Sequence, residues 1–196
     1  MSDFESEWKK ACEAFDAGDW EAAFRLLKPL AEQGYADAQH SLGWLYHNRQ
    51  GVTQDYKEAV KWYLLAAEQG NTDAQSNLGW LYHNGEGVTQ DYKEAVKWYR
   101  LAAEQGNASA QYNLGLMYQK GKGVMEDVVI AHMWFSIAAN NGHEDAIANI
   151  DIAESKMTTE QITKAHQLAH DYIDEKPLDL GDINDPAPWL GDIDNS

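Results

Sequence analysis

The chain has 196 residues, 44% of them apolar and 24% charged, which excludes a largely disordered polymer and leaves room for one compact domain or one short repeat array. With 32 acids against 15 bases its formal charge is −17, so a phosphate-binding surface is excluded as the dominant feature, and neither nucleic acid nor an anionic membrane is an expected partner. The start lacks a basic segment followed by an apolar run, and no stretch of eighteen apolar residues occurs. Together with the single cysteine, Cys12, which fits a reducing compartment, this reads as a cytoplasmic protein.

Residues 1–36 read as a helix pair. Phe4, Trp8, Ala11, Cys12 and Phe15 recur at helical spacing, which makes Cys12 a small buried hydrophobe, and Ala17-Gly18-Asp19-Trp20 forms a short turn. Residues 37–144 then hold three copies of a 36-residue unit. Asp37–Thr72 and Asp73–Ala108 align without gaps and differ at six positions. Ser109–Glu144 is looser but keeps Ala110-Gln111, Leu114-Gly115, Tyr118, Gly121, Gly123-Val124, Asp127, Ala131, Trp134 and Gly142.

Within a copy, Ala74, Leu78 and Tyr82 mark one helix that ends at Gly85-Glu86-Gly87. Asp91 and Glu94 form a capping-box pattern that opens a second helix, with Ala95, Val96, Tyr99, Ala102 and Ala103 on one face and Gly106 at its end. Neither helix can bury its apolar face alone, so the copies must stack. Arg49 stands where the other copies have the first loop glycine, and a looser helix end is expected there. Trp62, Trp98 and Trp134, with Tyr63, Tyr99 and Phe135, repeat in phase with the second helix and are assigned to the core. Residues 145–176 read as a degenerate half-repeat and a capping helix that starts at Thr158 and carries Ile162, Ala165, Leu168, Ala169 and Tyr172.

Ala74, Leu78-Gly79, Tyr82, Gly85, Gly87-Val88, Asp91, Ala95, Trp98-Tyr99, Ala102-Ala103 and Gly106 resemble the Sel1-like repeat, a relative of the tetratricopeptide repeat. The leading unit, with its shorter turn, resembles an ordinary tetratricopeptide repeat. The resemblance implies an all-α fold: a right-handed α-solenoid of stacked antiparallel helix pairs closed by a C-terminal capping helix. It further implies a monomeric, non-catalytic scaffold that binds a protein or peptide along a concave face lined by the first helices.

On a wheel at 100° per residue, Ala38, Gln39, Leu42, Gly43 and Tyr46 cluster within about 140° and form the stacking face. Asp37, His40, Trp44 and His47 fall opposite, where a packed helix should be polar. Asp73, Ser76, Trp80 and His83, and then Tyr112, Leu116 and Gln119, follow at the same angles. Aromatics flanked by hydrogen-bonding groups suit a peptide-binding stripe, and by the resemblance these positions line the concave surface. The alternative is that Trp44 and Trp80 fill space between neighbouring first helices.

His166 and His170 stand at i, i+4, a spacing able to hold zinc, but Gln167 follows the first histidine and no cysteine is nearby, so they read as solvated and no metal or cofactor is assigned. No nucleophile, base and oxyanion constellation is evident, and no enzymatic activity is expected. Residues 177–196 form an acidic, flexible tail with five Asp, three Pro and no base. It repeats Leu180-Gly181-Asp182-Ile183 as Leu190-Gly191-Asp192-Ile193, and Leu180, Ile183, Trp189, Leu190 and Ile193 make a candidate docking motif. The leading expectation is an adaptor. The runner-up is an immunity-type inhibitor whose acidic C-terminal region blocks a basic toxin or nuclease.

Overall fold

The structure, a computed structural model, describes residues 3–175, which form ten α-helices and no strand. The chain divides into two compact units between Asp91 and Tyr92. The first holds α1 (Asp3–Asp16), α2 (Trp20–Glu32), α3 (Ala36–Asn48), α4 (Tyr56–Glu68) and α5 (Thr72–Asn84), each packed on the next. The second holds α6 (Tyr92–Glu104), α7 (Ala108–Lys120), α8 (Val128–Asn140), α9 (Asp145–Glu154) and α10 (Thr159–Glu175), with α8 packed against α7, α9 and α10. Among these helices none is long and apolar enough to cross a membrane.

The helix boundaries follow from local chemistry. The Asp55 carboxylate accepts from the backbone N–H groups of Lys57 and Glu58, and Asp127 does the same for Val129 and Ile130. Asn71 and Asn107 accept from the N–H groups of Ala74 and Ala110. Each satisfies donors that a helix start leaves without an intrahelical partner. α10 opens with a reciprocal box: the Thr158 N–H donates to the Gln161 side chain, and the Gln161 N–H to the Thr158 hydroxyl.

α5 and α7 end at Gly85 and Gly121, both left-handed, with φ of 74° and 60°. Arg49 adopts the same geometry at φ 58°, and α3 keeps the same 13-residue length as α5 and α7. The expected loosening of that helix end does not occur. The arginine is held in a conformation that costs a non-glycine residue roughly 1 kcal/mol or more.

The repeated glycines are tied to close approaches. A Cβ on Gly43 would stand 2.8 Å from the Tyr63 ring, and one on Gly115 would stand 2.6 Å from Phe135, so the Leu-Gly of the first helix and the Trp-aromatic pair of the second are two halves of one contact. Gly87 lies against the backbone carbonyl of Tyr56, at the start of α4, where any side chain would collide with it. Tyr63, Tyr99, Phe135 and Trp134 are fully buried and Trp62 nearly so. Trp98 is only half-buried, a correction to its assignment to the core: the Tyr99 ring beside it takes the interior position.

One polar contact recurs with the period. Gln39, Gln75 and Gln111 are buried, and each side-chain amide donates to a carbonyl eight residues earlier, Ala31, Ala67 and Ala103, at 3.0–3.1 Å. Gln39 also accepts from the Gln69 amide at 2.7 Å, and Gln111 from that of Asn141 at 2.9 Å. One side chain on a first helix therefore joins the end of the preceding second helix to the end of the following one.

Two consequences can be measured by urea unfolding. Gln39→Leu removes the buried amide's bonds to the Ala31 carbonyl and the Gln69 amide, which keep the Gly34 N–H and the Leu65 carbonyl as partners, and should cost about 1 kcal/mol. Arg49→Gly relieves the left-handed strain and should raise stability by up to roughly 1 kcal/mol.

Candidate functional site

In the first unit the stripe read from the wheel is present, and it does more packing than a free surface would. Trp44 is half-buried, with its ring 5.1 Å from Phe15 and 5.5 Å from Trp20. Trp80 lies 5.0 Å from the His47 ring. His47 also meets Tyr56, and its Nδ1 is 3.4 Å from the Tyr63 hydroxyl. Ser76 is buried, and His83 is half-buried. The first helices thus use two sides for packing: one on the second helices, the other between aromatic rings of neighbouring pairs.

His40 Nε2 stands 3.2 Å from the Asn77 amide, which donates to it. Burial lowers the pKa of His40, against the opposing pull of Asp73 and Asp37. Burial likewise lowers that of His47, against Glu86. Both imidazoles are thereby held neutral by their surroundings.

Beside this stripe is a cleft of about 180 Å³. Its walls are Trp8, Cys12 and Phe15 of α1 and His40 and Ser41 of α3, and its rim carries Asp16, Asp37 and Asp73, with no lysine or arginine among its lining. Asp37 accepts from the Asn71 amide at 3.0 Å, which fixes it at the mouth. Cys12 is half-buried and lines this cleft, which corrects its reading as a buried hydrophobe. Its thiol pKa is raised, first by burial and then by Asp16 and Asp37, so it is a poor nucleophile. The sequence pointed to Asp37, His40 and Asp73. It did not show Trp8, Phe15 or Asp16 as their neighbours, since these belong to α1 and reach the cleft only through packing.

In the second unit, Tyr112 stacks on His143 at 4.2 Å and accepts from the Asn149 amide. Leu116 packs on the cluster of Ala131, Phe135, Ala138 and Ala146. Gln119 is half-buried. His166 and His170 are both exposed and have different acidic partners: His170 lies 3.2 Å from Asp174, whereas His166 lies 3.7 Å from Glu154. The tail motif of Leu180, Ile183, Trp189, Leu190 and Ile193 lies outside the described residues.

The Sel1 repeat matches residues 36–71, 72–107 and 108–143, just over half of the chain. The chain belongs to the Sel1 repeat family. Among solved structures it is similar to a Sel1 repeat protein from Oxalobacter formigenes, with 38% identity over 72% of this chain and a TM-score of 0.68. It is also similar to a protective antigen of uropathogenic Escherichia coli that displays an SLR fold, with 39% identity over 80% of this chain and a TM-score of 0.75. The chain spans 58% and 33% of those two proteins respectively. The cysteine rich protein B of Helicobacter pylori is more distant, at 27% identity over 62% of this chain and 92% of that one, with a TM-score of 0.50. A comparison with curated proteins finds no match. Sel1 repeats belong to the tetratricopeptide-like superfamily and generally act as non-catalytic mediators of protein–protein interaction.

The two lowered histidine pKa values carry a pH dependence. The unfolded chain titrates near the ordinary value of about 6.5 and the folded one below it, so acid protonates the unfolded state first. Their contribution to stability is complete above about pH 6.5 and is lost as pH falls through the lower folded values. Urea midpoints should therefore drop from pH 7.5 to pH 5, and the drop should shrink in the double variant His40→Gln, His47→Gln.

Proposed function

We propose that this Sel1 repeat protein is a non-catalytic adaptor that holds a segment of a partner protein on the face built from its first helices, with the α1–α3 cleft receiving a lysine or arginine side chain. The observation that carries this reading is the cleft's composition. Three carboxylates, Asp16, Asp37 and Asp73, ring a space walled by Trp8 and Phe15, and no basic side chain lines it. A cationic head would meet the acids while its methylene stem, or a guanidinium plane, lay against the rings. The stripe continues past the cleft as Trp44, His47, Trp80 and His83, which offer ring edges and hydrogen-bonding groups to flanking residues of the same segment. In the second unit, Tyr112, Leu116 and Gln119 are the corresponding positions. The single cysteine, which has no second thiol in this chain to pair with, supports a cytoplasmic setting.

Selection of a random peptide display library against the full chain tests the proposal. Enriched sequences should share a lysine or arginine next to apolar residues. Their affinity should fall with added salt, and by roughly tenfold or more in the double variant Asp37→Asn, Asp73→Asn. Enriched peptides without a basic residue, or affinities indifferent to both salt and the two substitutions, would remove the cleft from the binding surface.

A further inference from the structure

α8 carries an imidazole where its counterparts carry a hydrocarbon. His132 is fully buried, at the repeat position that Val60 and Val96 occupy in the preceding copies. Its Nδ1 lies 3.3 Å from the hydroxyl of Ser136, a residue that replaces Leu64 and Arg100 of those copies. Its Nε2 lies 3.0 Å from Oε1 of Glu154, the last residue of α9. Nε2 of His166, at the start of the third turn of α10, lies 3.7 Å from the same carboxylate oxygen, and the two imidazole rings are 5.0 Å apart. One ligand atom from each of the three residues falls within 4.8 Å of the others.

From this geometry we propose that His132, Glu154 and His166 form a zinc site that ties α10 to α8 and α9. Zinc bonds of about 2.0–2.2 Å in a tetrahedron put neighbouring donor atoms about 3.3–3.5 Å apart, and the separations of 3.0 and 3.7 Å bracket that value. The exposed His166 ring can close the remaining distance by turning inward, while the other two donors stay where packing holds them. In the tautomer that donates its Nδ1 proton to the Ser136 hydroxyl, His132 turns its Nε2 lone pair toward Glu154, as a zinc ion between them would need. Ser136 is then the second partner on Nδ1 that orients metal-binding histidines; without the ion, the other tautomer places the proton on Nε2, hydrogen-bonded to Glu154. Glu154 adds a further reason: a carboxylate at a helix C-terminus is opposed by the helix dipole, and a bound cation reverses that penalty. Water completes the fourth position, on the side where His166 is exposed. The ion's effect is structural. It adds a tie between the closing helix and α8 to the apolar packing of Ala165, Ala169 and Tyr172.

The test uses the untagged full chain, stripped with chelator and titrated with zinc by calorimetry and with cobalt(II) by visible absorption. The expected result is one saturable site per chain, tetrahedral cobalt bands and a higher melting temperature with zinc. His132→Val, which restores the residue of the other copies, the half-buried change Glu154→Gln and the exposed change His166→Ala should each weaken binding at least about tenfold. His170→Ala should leave it unchanged. No saturable binding would overturn the proposal. So would a site lost in His170→Ala yet kept in Glu154→Gln, which would be a surface histidine pair on α10 alone. Circular dichroism of each variant separates lost ligation from lost folding, and Glu154→Gln and His166→Ala, both outside the buried core, decide the matter if His132→Val does not fold.

Discussion

The structure depends on a buried amide. Gln39, Gln75 and Gln111 each reach back to the last turn of the preceding helix and donate to a carbonyl there that also accepts the N–H of the glycine closing that helix. Apolar stacking drives the helix pairs together, but it is tolerant of small slides and rotations. A hydrogen bond in a dry interior is not, because a misplaced amide loses its partner and its water at once. Repeating the same glutamine every 36 residues therefore fixes the register of α3 on α2, of α5 on α4 and of α7 on α6. The close contacts of Gly43 with Tyr63 and of Gly115 with Phe135 become possible only when that register is kept.

Much of this was legible in the sequence because the repeat displays each local rule more than once. Asp55 and Asp127 announce helix starts, Gly85 and Gly121 announce ends, and the phase of Tyr63, Tyr99 and Phe135 announces the interior. The glutamines were visible as recurring residues, but their job was not, since a wheel places Gln39 on the stacking face without saying which carbonyl it meets. The same wheel could not show that the opposite side of α3 also packs. Trp44 looks exposed on a single helix and becomes half-buried only when Phe15 of α1 and Trp20 of α2 arrive beside it.

That double use of the first helices bears on how such a surface can recognise anything. A ring held on one side by Phe15 or His47 has already lost most of its rotational freedom, so a ligand that covers its other side pays little further ordering entropy. The acids at the cleft supply selectivity of another kind. Asp16, Asp37 and Asp73 raise the thiol pKa of Cys12 or oppose the lowering at His40, so the negative field of the cleft registers on groups that are themselves neutral. A partner bringing a positive charge would replace solvent in that field, whereas an anionic one would be repelled.

In a repeat array the informative residues are those that break the pattern at a position the fold has already explained. Arg49 breaks it at a helix end and is tolerated, because α3 keeps its left-handed cap at the expense of strain. His132 breaks it at a buried valine position, where an isolated imidazole would be destabilising, and it comes with Ser136 and Glu154 to satisfy both ring nitrogens. The two departures have different physical status. The first is a local defect that a glycine would relieve. The second is a set of mutually dependent changes on two helices, with a third donor, His166, brought alongside by α10. The pairing His166 shares with His170 in sequence is a property of one helix, whereas its closeness to Glu154 and His132 exists only because the closing helices fold back onto α8.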